Sequence, residues 1–117
     1  MSAHQPDAGI DALLFSVDKD VLIDVGWQLY RDDQAAAQMH SDELLAAGTK
    51  WVKANYQKMK DAICPHSDRI QSLLTSDVSQ AVQAAGDLML GLAVGVSPFT
   101  LGRLCVQMGV NKLCSGA

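Results

Sequence analysis

From Ser41 to Cys64 the apolar residues Leu45, Val52, Tyr56, Met59 and Ile63 fall within a narrow arc at about 100° per residue, the stripe of a helix laid on a core. Pro65 ends that helix, because the residue before a proline is pushed out of the α region. A short connecting helix follows from Ser67 to about Leu74, with Ile70, Leu73 and Leu74 as its apolar side. From Ser76 onward Val78, Val82, Ala85, Met89, Leu92 and Val96 recur at alternating steps of four and three, a sustained seam. Leu88 to Val96 carries no polar side chain, and a helix that is apolar all round is expected to be buried all round. Ser97 and Pro98 restart the chain into a last helix carrying Phe99, Leu101, Leu104, Cys105 and Met108. Gly109 and Val110 then read as a helix stop with its hydrophobic contact, and residues 111–117 as a tail.

Ser41, Ser67 and Ser76 each stand before an acidic residue, which puts a hydroxyl acceptor at a helix start and a carboxylate at the positive end of the dipole. The first forty residues read in two ways. Ile10, Leu13, Leu14, Val17, Val21, Val25 and Leu29 lie on one helical stripe, while Ile23, Val25, Trp27 and Leu29 also alternate with Asp24, Gly26 and Gln28 as a strand would. Helix is the favoured reading. A hairpin at Asp18, Lys19 and Asp20 lacks the glycine or asparagine of a tight turn, and the run continues into the helix formers Gln34 to Gln38. The pattern predicts an all-α fold: one small bundle of four or five helices over residues 1–117, with loose termini at 1–6 and 111–117, and a β-hairpin near the N-terminus as the minor alternative.

The composition of the 117 residues, 49% hydrophobic and 19% charged, fits a folding chain rather than a disordered one. No repeat of period 20 to 50 residues is visible. A net charge of −4 has the wrong sign for a surface built to neutralise phosphates, so nucleic acid is disfavoured as a partner. Cys64, Cys105 and Cys114 are odd in number, and the opening MSAHQPDAG lacks a basic and apolar secretory pattern; a reducing cytoplasm is expected. The most apolar region is interrupted by Ser97, Pro98 and Arg103, so no ordinary membrane span is expected.

The candidate chemistry is sparse. Cys64, His66, Cys105 and Cys114 are four soft ligands, but they lack the two close pairs of a structural zinc site. Cys64 and His66 as nucleophile and base are too near in sequence for that role, which usually draws on distant segments. The bland reading makes two of the cysteines small buried hydrophobes and His66 a surface residue at a helix junction. His40 and Glu43 lack the second histidine of a helical metal motif. Gly91 and Gly95 lie four apart in the apolar run, and such a pair lets a second helix come close. Lys50, Lys53, Lys58 and Lys60 interleave with Trp51 and Tyr56; the wheel puts Tyr56 in the core stripe and Trp51 off it, with Lys58 two turns along the same flank.

With no convergent acid, base and nucleophile and no cofactor motif, the expected role is a non-enzymatic interaction or assembly subunit. It would self-associate or dock on a larger protein without metal or cofactor, through a candidate interface of Trp51, Lys58, Leu88, Gly91 and Gly95. The alternative is a membrane-active protein that inserts an apolar hairpin over 88–108. A small cysteine or zinc enzyme is third.

Overall fold

The apolar stripe on residues 10–29 is helical but divided. The computed structural model describes residues 6–30, 39–92 and 95–115. In it α1 (Pro6–Leu14) and α2 (Lys19–Tyr30) are joined by a turn whose Ser16 and Val17 amides donate to the Leu13 and Leu14 carbonyls. Ile10, Leu13, Val17, Val21 and Val25 all point inward, so one stripe continues across the bend. No strand occurs among the described residues, and Asp18 to Asp20 open α2 instead of turning a hairpin. The expected helical run over Gln34 to Gln38 lies outside the described residues.

Helix α3 (Ser41–Ile63) starts where expected, although its cap is His40, whose amide donates to Glu43 Oε1 at 3.3 Å. A 3₁₀ turn at Cys64–His66 contains Pro65 and leads into α4 (Ser67–Ser76), which buries Ile70. Asp77 rather than Ser76 caps α5 (Val78–Leu88), accepting the Ser79 and Gln80 amides. Ser97 caps α6 (Pro98–Met108) with Pro98 in its first turn, as read from the sequence. Gly109 takes the expected positive φ of 90°, but the chain does not then become a tail. It forms α7 (Val110–Ser115), in which Val110 and Leu113 are completely buried. The all-α bundle therefore has more segments than four or five, because the N-terminal stripe bends once and the last residues are held down.

Two antiparallel pairs make the frame, and glycine sets the spacing in both. A Cβ added to Gly48 would lie 2.9 Å from the Leu22 carbonyl carbon, and one added to Gly26 would lie 2.8 Å from that of Leu44. In the second pair Gly86 meets the Pro98 carbonyl in the same way, and Gly102 that of Val82. Each glycine removes the side chain that would hold the neighbouring backbone away, so α2–α3 and α5–α6 cross at contact distance. Polar clamps then fasten α6 to α2. Thr100, 2% exposed, donates to Asp24 Oδ2 at 3.0 Å and accepts from Gln28 Nε2 at 2.8 Å, while Gln28 Oε1 accepts the Ser97 amide. At the other end Gln107 Oε1 accepts the Asp18 amide at 2.8 Å.

Two expectations about the second half are overturned. Leu88 to Val96 is not one buried helix: α5 ends at Leu88, a 3₁₀ turn takes Leu90–Leu92, and Gly95 has φ of 88°. Met89 and Val96 go into the core while Leu90 is left 59% exposed, because a small bundle offers this segment a core on one side only. Gly91 and Gly95 are exposed with nothing within 4 Å of an added Cβ, so they make no helix crossing. The cysteine reading is corrected as well. Cys64 and Cys114 form a disulfide with Cα atoms 5.4 Å apart, tying α7 to the end of α3; only Cys105 is a small buried hydrophobe.

Candidate interaction surface

Helix α3 buries Leu44, Gly48, Val52, Met59 and Ile63 and turns its opposite side outward. The Gly26–Gly48 contact brings the end of α2 beside the middle of that helix. An open groove of about 390 Å³ lies there, lined by Leu29, Tyr30, Ala47, Lys50, Trp51 and Ala54. Tyr30 is 38% exposed. Trp51 stands at the margin: it is half-buried, packs against the core and lines the groove. Its carbonyl accepts Asn55 Nδ2 at 2.9 Å. Trp27 is 44% exposed and does not line the groove.

The other candidate residues are dispersed. Lys58 is exposed on the Trp51 flank of α3. Leu88 is half-buried at the end of α5 and packs against the core, whereas Gly91 and Gly95 are open surface. None of these four lines the Trp51 groove. Lys53, part of the same basic cluster, pairs with Asp11 of α1 at 2.8 Å.

An exposed aromatic on α6 lines a separate groove. Phe99, one of the apolar residues carried by the last helix, is 62% exposed and lines a groove of about 370 Å³ with Pro98, Ser79, Gln83 and Asp87. The Arg103 guanidinium lies 5.8 Å from its ring centre, within cation–π range. The signal was on the wheel, since Phe99 falls nearly opposite the stripe of Leu101, Leu104, Cys105 and Met108.

Cys64, two residues before His66, carries no free thiol. Cys64 is bonded to Cys114, and His66 is exposed at the junction of the 3₁₀ turn and α4. Cys105 sits 3.5 Å from the Met89 sulfur in the interior, and burial pushes its thiol up to about 12, which disfavours the thiolate a nucleophile or ligand needs. Among the described residues no three His, Cys, Asp or Glu side chains gather as a metal site, and no helix is long and apolar enough to cross a membrane.

Comparison of the chain with protein-family models, with curated proteins and with solved structures finds no match. The described residues form a disulfide-closed all-α bundle with an aromatic groove beside α3, the longest helix among them.

Proposed function

We propose that this chain is a protein-interaction or assembly module that works without turning over a substrate. The observation that carries the reading is the Trp51 groove. A half-buried tryptophan packed against the core, beside Tyr30 and the small residues Ala47 and Ala54, is the composition of an interface centre. The grooved side of α3 is exposed where the opposite side is buried, so a partner helix or strand would meet a rigid element rather than a loop. The disulfide supports an oxidising compartment over the reducing cytoplasm expected from the cysteine count, because such bonds persist where thiols are not kept reduced.

Insertion of an 88–108 hairpin into a membrane receives less support. Leu101, Leu104, Cys105 and Met108 are wholly buried, and Thr100 is bonded to α2, so extracting α6 would dismantle the core. The test of the interaction reading is capture of partners from the native host by the wild type and by Ala54→Arg, a substitution at an exposed position that fills the groove. Retained folding with lost capture is the expected result; identical capture by both would reject the groove as the interface.

A further inference from the structure

We infer that the exposed face of α3 pairs with the same face of a second copy of this chain, antiparallel, about a two-fold axis passing between Lys50 and Trp51. The inference rests on the interaction reading above and names its partner.

At about 100° per residue, Glu43, Ala47, Lys50, Ala54 and Asp61 fall within an arc of about 60°, with Lys58 and Trp51 at its rim. All of them are exposed or half-buried, and the arc lies away from the buried stripe of Leu44, Gly48, Val52, Met59 and Ile63. Rotating one copy of this face about the proposed axis sets Glu43 opposite Lys58 twice, once on each side. The same rotation sets Ala47 opposite Ala54 and Lys50 opposite Trp51. A single operation thus apposes opposite charges at both ends, small residues inside them, and a cation with an indole at the centre. The alanines allow the helix axes to approach, and the charge pairs stand about 11 Å to either side of the axis at 1.5 Å per residue.

The alternatives are selected against by the same residues. A parallel pairing in register would stack Glu43 on Glu43, Lys50 on Lys50 and Lys58 on Lys58. An antiparallel pairing slipped by seven residues toward the C-terminus would set Lys50 against Lys58 and Ala47 against Asp61. Like charges across an interface penalise both arrangements, so the pattern specifies direction and register together. Glu43 accepts the His40 amide through Oε1 and Asp61 accepts Gln57 Nε2 through Oδ1, which leaves each carboxylate a second oxygen.

Sedimentation equilibrium on the full chain tests the inference. The wild type is expected to dimerise. Lys58→Glu and Glu43→Lys are each expected to weaken the dimer at least about 10-fold, since each sets like charges across both ends. An equimolar mixture of those two variants should regain the wild-type constant, because the mixed pair again has opposite charges at both ends. Glu43→Gln retains an acceptor for the cap and removes only the charge, so a weaker dimer in this variant, with an unchanged far-ultraviolet spectrum, separates pairing from fraying. A wild type that stays monomeric up to about 1 mM, a dimer indifferent to all three substitutions, or a mixture that fails to recover would each overturn the pairing. If the chain is monomeric while Ala54→Arg still abolishes capture of a different protein, self-pairing fails and the interaction reading stands. If the chain is monomeric and Ala54→Arg changes no capture, both fail.

Discussion

Gly48→Ala adds one methyl group where α3 touches α2. The new Cβ would lie 2.9 Å from the Leu22 carbonyl carbon, 3.1 Å from the Gly26 nitrogen, and closer still to the Leu22 carbonyl oxygen. Real Cβ atoms essentially never come under 3.0 Å, and here the obstacle is backbone, which cannot rotate away as a side-chain tip could. The helices must therefore separate by roughly 1 Å or more, and a gap of that size forfeits about a quarter to a half of each lost dispersion contact. Those contacts belong to Val21, Leu22, Val25 and Val52, all buried in the shared core. Overpacking of this kind costs about 1–3 kcal/mol and occasionally more, while alanine returns about 1 kcal/mol of helix propensity. Because the clash is with backbone, the upper part of that range applies, and we expect a net loss of about 2 kcal/mol. Urea unfolding followed by circular dichroism reads it as a lower midpoint at unchanged slope. The internal control is Gly91→Ala, where an added Cβ meets nothing within 4 Å and the unfolded chain loses freedom. It should match the wild type or gain up to about 1 kcal/mol. A Gly48→Ala protein as stable as the wild type, or a Gly91→Ala protein that loses more, would refute the close-crossing argument.

Three further outcomes are expected. Met89→Asp puts a carboxylate at a completely buried position without a partner, which costs several kcal/mol and should abolish soluble folded protein, whereas Leu90→Asp, one residue on and 59% exposed, should be tolerated in the same expression and melting assays. Replacing Cys64 and Cys114 by serine opens a loop of 50 residues and should lower stability by about 4 kcal/mol on the chain-entropy account, with faster amide exchange in α7, the segment the bond retains. Burial of Cys105 raises its thiol from 9.0 to about 12, so the stability tied to the protonated form is complete below about pH 9 and is lost as pH rises toward 12; the denaturation midpoint should fall less steeply over that window in Cys105→Ala than in the wild type.

Helical periodicity and punctuation were legible in the sequence because both are local. The stripe from Ile10 to Val25, the start at Ser97–Pro98 and the stop at Gly109 each depend on residues within a turn or two of one another, and each is found in the structure. The groove was only partly legible. The wheel put Trp51 off the core stripe, but Tyr30 and Leu29 join it through the crossing of α2 and α3, a meeting of segments that periodicity along one helix does not encode.

What the tertiary structure alone decided is which of several equivalent residues meets what. Gly26, Gly48, Gly86, Gly91, Gly95 and Gly102 are interchangeable as letters, and the spacing of Gly91 and Gly95 looked the most suited to a helix contact. The folded chain uses the other four, because a glycine matters only where a second backbone arrives, and arrival is fixed by packing. Cys64 and Cys114 likewise lie 50 residues apart and become neighbours only after α7 docks. Leu88 to Val96 shows the same limit from the other side. Its composition specified apolarity, but burial needs a surface to be buried against, and the bundle supplied one for Met89 and Val96 and none for Leu90.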